Sequence, residues 1–128
     1  MRFRECAVCQ WERIVAPPAV RRGVVHVWRI PLTEAAAGFA RCCIPQTERE
    51  RLAQADREVL RRRRLAARTG LGCVLGLYLG KPARDIVLEE GGRSKPRLAG
   101  PDARSVIRFN LAHAGDLALC AVVLEADV

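Results

Sequence analysis

Three groupings of residues in this chain carry side chains that could do chemistry. Lys95 is followed by Pro96, which disfavours helical geometry at the lysine and holds it extended. His113 stands between Asn110 and Asp116, a polar stretch with Gly115 set between two apolar segments. A lysine supplies a compact charge for an anion, and a histidine supplies a hydrogen-bond donor that can carry charge near neutral pH. The third grouping is basic: residues 48–68 hold eight arginines and four acids. A guanidinium offers a rigid fork suited to phosphate or carboxylate. Arg61 to Arg64 span most of a helical turn, so they cannot all face one ligand. Read alone, each grouping has a plain explanation. Lys95-Pro96 is a hairpin exit, His113 is a turn histidine bonded to its own loop, and the arginines are a solvated face whose ion pairs contribute little each.

The elements that must position these groups can be read from pattern. Leu117 to Leu124 is a continuous apolar run of strand length and predicts a buried strand. Asn110 to Asp116 reads as a loop or tight turn held between strands. Val24 to Ile30 predicts a first strand, ended by Pro31. Thr33 can cap a short helix through Arg41, and Pro45 then breaks the chain. Thr47-Glu48-Arg49-Glu50 has the form of a capping box opening a short helix. Asp56 can cap a longer one, with Leu60, Ala67, Leu71, Val74 and Tyr78 at helical spacing. Gly70, Gly72 and Gly76 weaken that helix unless it packs closely on a sheet, and Gly80 with Pro82 ends it. Asp85 to Glu90 predicts a second strand, turned by Gly91-Gly92-Arg93 into Lys95-Pro96. Ala99 to Arg104 reads as a surface loop.

A chain of 128 residues is one domain or a piece of one. Lys plus Arg is 22 against 14 for Asp plus Glu, a net +8, which points to an anionic partner unless the charge serves solubility alone. No secretory signal is visible, and the uncharged stretch Thr69 to Gly80 is too short to span a bilayer. The expected location is therefore cytoplasmic, without membrane contact. Cys6 and Cys9 have metal-ligand spacing, but adjacent Cys42 and Cys43 would chelate the same ion poorly. Cys73 and Cys120 lie in apolar runs and read as buried small hydrophobes.

Lys95-Pro96 and the run Phe109-Asn110-Leu111-Ala112-His113-Ala114-Gly115-Asp116 resemble the Gly-Lys-Pro and Phe-Asn-x-Ser-His-Ser-Gly motifs of 4′-phosphopantetheinyl transferases of the surfactin-synthetase-activating type. Ser94 stands at the motif glycine, and Ala112 and Ala114 stand at its serines. The resemblance covers residues 24–128, with 1–23 left as an N-terminal extension. It implies an α+β fold: a small antiparallel sheet packed against a long arginine-rich helix, as one half of a two-fold pseudo-symmetric enzyme. It also implies coenzyme A as substrate, with its phosphates held by Lys95, Pro96, His113 and helix-borne arginines. Arg51 and Arg63 lead by position, with Arg49, Arg64 and Arg68 behind them. Gly72 stands where the family often has a further arginine. Asn110 would hold the loop, and Phe109 would belong to the core.

The activity implied is transfer of 4′-phosphopantetheine from coenzyme A to a serine of an apo acyl- or peptidyl-carrier protein. In the family, Mg²⁺ is bound by a Gly-x-Asp-x-Glu motif and by a later Trp-x-x-Lys-Glu-Ala helix. Neither appears before Val128, and Glu125 and Asp127 read as strand-end residues. The expectation is that this chain supplies neither catalytic residues nor metal ligands. It would bind coenzyme A and depend on a missing C-terminal half or a homodimer partner for transfer. Two other classes stay open. One is a basic nucleic-acid-binding module, which 5% aromatic content does not favour. The other is a non-catalytic interaction domain derived from such a half.

Overall fold

The long helix α4, Glu58–Leu79, is the element on which the others are laid. The computed structural model describes residues 19–90 and 95–124. Within them, β1 (His26–Pro31) leads to three short helices, α1 (Glu34–Gly38), α2 (Ala40–Cys43) and α3 (Gln46–Leu52), and then to α4. A short hairpin follows, β2 (Leu88–Glu90) with β3 (Pro96–Leu98), and then β4 (Ile107–Ala114) and β5 (Leu117–Leu124). The architecture is α+β, a small antiparallel sheet against one long helix.

Why α4 is helical follows from its buried stripe. Ala66, Ala67, Leu71, Val74 and Leu75 recur at helical spacing and enter the core with Ile30, Ala118, Cys120 and Val122. Gly80 ends it in the left-handed conformation, φ 66° and ψ 36°. Its start differs from expectation. The residue before the first turn is Arg57, in extended geometry, so Asp56 lies one position outside and does not cap. Likewise α3 begins at Gln46 behind Pro45, which puts Thr47 inside the helix and leaves the capping box unformed. Thr33 does cap α1, accepting from the Ala36 N–H at 3.0 Å, but that helix stops at Gly38 and α2 forms separately.

The main sheet has the order β1-β5-β4, antiparallel throughout. Its central strand is the apolar run Leu117–Leu124, buried at Ala118, Cys120 and Val122 against α4. The register sets Ile30 and His113 opposite Ala118, and Phe109 opposite Val122. β1 runs through Pro31, on the sheet edge, and Leu32 then donates its N–H to the Asp116 carbonyl at 2.8 Å. The stretch expected to be a loop is mostly strand: β4 continues to Ala114, and only Gly115 (φ 57°) and Asp116 make the turn. His113 is thus a strand residue. Of the expected second strand, Asp85–Glu90, only Leu88–Glu90 forms: Asp85 closes a 3₁₀ turn at 83–85, and Ile86 is fully buried. Residues 100–102 are also 3₁₀. Cys73, expected to be buried, is exposed, whereas Cys120 is buried. Residues 1–18, 91–94 and 125–128 lie outside the described residues, and with them the expected turn at Gly91-Gly92-Arg93 as well as Cys6, Cys9, Glu125 and Asp127. Among the described residues, no helix is long and apolar enough to cross a membrane.

The far end of the sheet is pinned to the C-terminal part of α4 by one hydroxyl. The Tyr78 hydroxyl accepts from Trp28 Nε1 at 2.7 Å and shares a hydrogen bond with His26 Nδ1 at 2.8 Å. Burial disfavours the charged form of His26 and lowers its pKa. An unfolded histidine protonates near pH ~6.5. The native state resists protonation, so stability is full above that pH and is lost as pH falls through it. Urea midpoints should therefore decline from pH 8 to pH 5. Tyr78→Phe should cost about 1–2 kcal/mol at pH 8, since it leaves the Trp28 donor unmatched. A variant as stable as wild type would show the network to be idle.

Candidate anion-binding site

The other end of the sheet gathers cations. The β4–β5 turn projects Asp116 toward the N-terminal part of α4. There Arg62 Nη2 and Arg63 Nε both donate to Asp116 Oδ1 at 3.0 Å. The hydrogen bond from Arg63 holds the Asp116 carboxyl below its usual range, and Arg62 adds to the effect. The two guanidinium groups are half-buried, at 28% and 31% side-chain exposure, whereas Asp116 is 65% exposed. Arg62 Nε is buried and has no hydrogen-bond partner among the described residues.

His113 sits three residues before Asp116, at the same end of the sheet. It continues the core-facing register of Phe109 and Leu111 but is itself exposed. His113 and Arg63 are thus at the same end of the sheet, through the Asp116 that Arg63 shares with Arg62, which pattern reading passed over. Arg64 is exposed beside them on α4. Asp116 was also missed as a partner: Arg62 and Asp116 are 54 residues apart, and no local pattern announces the pairing.

Lys95 and Pro96 reach the sheet from its side. Pro96 pairs with Glu90 in the short hairpin and lines an open cleft of about 340 Å³ with Leu98, Arg108 and Phe109. Lys95 is exposed at the mouth of that hairpin. Phe109 and His113 are four residues apart on β4, roughly 13 Å by strand rise. Lys95 thus precedes the strand that lines this cleft with Phe109.

Arg68, expected among the phosphate contacts, has a different task. It is 6% exposed, and its Nε and Nη2 meet the Glu48 carboxylate at 2.6 and 3.2 Å. Nη2 also donates to the Ile86 carbonyl at 3.0 Å. Five residues on from Arg63, it leaves the helix roughly 140° around the axis. Because Glu48 belongs to α3, that helix lies on this second flank of α4. Arg49 and Arg51 are carried on the same helix, with Arg51 exposed and Arg49 half-buried. Among the described residues, no three His, Cys, Asp or Glu side chains are grouped to hold a metal ion.

Comparison with known proteins adds one relative. The chain is 39% identical over 101 residues to the 4′-phosphopantetheinyl transferase HetI of Nostoc sp., a match covering 77% of this chain and 42% of that protein. It thus spans less than half the length of that relative. No family model matches it.

Proposed function

The chain belongs to the 4′-phosphopantetheinyl transferase superfamily, and on that footing we propose that it forms the coenzyme A-binding part of such an enzyme, acting in the cytoplasm. The reaction served is attack by a carrier-protein serine on the coenzyme A diphosphate. It forms a phosphodiester at the serine oxygen and releases adenosine 3′,5′-bisphosphate. The observation that supports this reading is the convergence of Arg62, Arg63 and His113 at one end of the sheet. A phosphomonoester carries about −1.5 to −2 charges and calls for two or three cations in reach. Arg63 and His113, with Arg62, are proposed to hold one phosphate group. Lys95 and Pro96 approach from the side, and Arg64, Arg49 and Arg51 are the remaining candidates. Arg68 is left out, because Glu48 and Ile86 already hold it.

Mg²⁺, expected for the complete enzyme, finds no ligand set among the described residues, and no step is derived through it. We propose that the metal-binding carboxylates come from a second half, in a longer chain or in a different chain. The outer face of the sheet suits such a neighbour. Leu117, Leu119, Ala121 and Val123 run down its centre, flanked by Val27, Ala112 and Ala114. A strand apolar on both faces is the pattern of one covered on both sides. The substrate protein would be an apo acyl- or peptidyl-carrier.

Calorimetric titration with adenosine 3′,5′-bisphosphate tests the site without requiring turnover. Wild type should bind, more weakly as salt rises. Arg63→Glu, which exchanges attraction for repulsion, should weaken binding by tenfold or more, on the order expected for a reversed charge in close contact. Absence of binding at low salt, or equal binding by the variant, would overturn the proposal. The chain alone should leave an apo carrier protein unmodified in the presence of Mg²⁺ and coenzyme A. Modification would show that no second half is needed.

A further inference from the structure

The cationic end of the sheet already holds an anion of its own. Both guanidinium bonds fall on one carboxylate oxygen, Asp116 Oδ1, so that atom marks a point where the protein stabilises negative charge. Three observations suggest that the carboxylate can leave while the guanidinium groups stay. Its side chain is about twice as exposed as either arginine. Its backbone is fixed separately, through the carbonyl that accepts from Leu32, so rotation about the side chain need not disturb the turn. The buried Nε of Arg62 lacks a partner among the described residues, so Asp116 satisfies that guanidinium only in part. Glu34 and Glu58 line a pocket together with Arg61 and Arg62, but neither pairs with Arg62.

We propose that Asp116 is a built-in counter-anion, which holds Arg62 and Arg63 in place in the ligand-free protein and competes with an incoming phosphate for them. A phosphate brings at least as much charge as the carboxylate. The two cannot share the same pair of cations without mutual repulsion. The carboxylate therefore prevents the arginines from splaying but lowers the affinity for the ligand. This rests on the reading that a coenzyme A phosphate is held here.

The test is Asp116→Asn, which keeps the size of the side chain and its fitness for a turn but removes the charge. Binding of adenosine 3′,5′-bisphosphate should tighten by about fivefold at low salt, and the gain should shrink as salt rises. Asp116→Glu keeps the charge and should not tighten. Asp116→Ser, also neutral, should behave like the asparagine variant, and thermal midpoints would verify that each variant is folded. If wild type binds and both neutral variants bind equally or more weakly, the counter-anion is overturned while the phosphate site stands. If neither wild type nor variant binds, the site and the counter-anion fall together.

Discussion

Replacing Arg68 by methionine is expected to destabilise the fold by about 3–5 kcal/mol, the usual consequence of leaving one member of a buried ion pair without the other. Arg68 is 6% exposed and Glu48 17%. The guanidinium meets both carboxylate oxygens and also the Ile86 carbonyl, so one side chain ties together α3, α4 and the segment that follows α4. In the variant, the Glu48 carboxylate and the Ile86 carbonyl lose their donors with little water to replace them. The melting temperature should fall by roughly 12 °C or more. Adding Glu48→Leu to Arg68→Met should recover much of the loss, because a buried pair replaced whole by apolar residues is often neutral. Urea unfolding of the two variants is the measurement. A single variant within 1 kcal/mol of wild type would mean that the pair is better hydrated than its geometry indicates, on the order of an exposed bridge. Arg68 would then return to the set of cations available to phosphate.

The same side chain shows what pattern reading can and cannot reach. Strand β5 was legible because eight apolar residues in a row leave few alternatives, and Gly80 was legible because a left-handed helix end favours glycine. Arg68 was not legible, since nothing local sets its partner Glu48 apart from the other acids of residues 48–58. Pro45 sets the helix start two residues earlier than a Thr47 cap would, and Glu48 makes its contact with a residue 20 positions away. Cys73 misled in another way. Its neighbours Gly72 and Val74 are buried, but a helix turns about 100° per residue, and Cys73 falls on the outer side. Asn110, Gly115 and Asp116 are turn formers and predict a loop around His113, whereas Asn110 occupies an exposed strand position. The anion site was half visible. Arg63 and His113 could be named from resemblance, but the pairing of Arg62 and Arg63 with Asp116 depends on how the hairpin turn meets the helix. Nothing in the local pattern of either segment encodes that meeting.

Gly76→Ala is expected to destabilise the protein by about 2 kcal/mol, although alanine is the better helix former by about 1 kcal/mol. A Cβ at Gly76 would stand 2.5 Å from the carbonyl oxygen of Lys81. That oxygen is backbone and cannot rotate aside. The Lys81 N–H donates back to the Gly76 carbonyl at 3.1 Å, and the Lys81 ammonium is held to Asp102 at 2.6 Å. Moving residue 81 would therefore disturb the end of α4 and the 3₁₀ turn that precedes β4. Gly70 offers a contrast. Its Cβ would meet Ile30 Cγ2 at 2.3 Å, a side-chain atom, but one on a β-branched residue with little torsional freedom in the sheet. Gly70→Ala alone should also destabilise, and shortening Ile30 to alanine should relieve the clash at the cost of lost burial. No such relief exists for Gly76, because its obstacle is main chain. Gly38 supplies the control: it closes α1, and nothing lies within 4 Å of its added Cβ. Gly38→Ala should be neutral or stabilising by up to about 1 kcal/mol. Chemical denaturation of the three alanine variants separates the two effects. If Gly76→Ala proved as stable as Gly38→Ala, helix propensity would govern this end of α4, and the close approach of the chain after Gly80 would not be what requires glycine there.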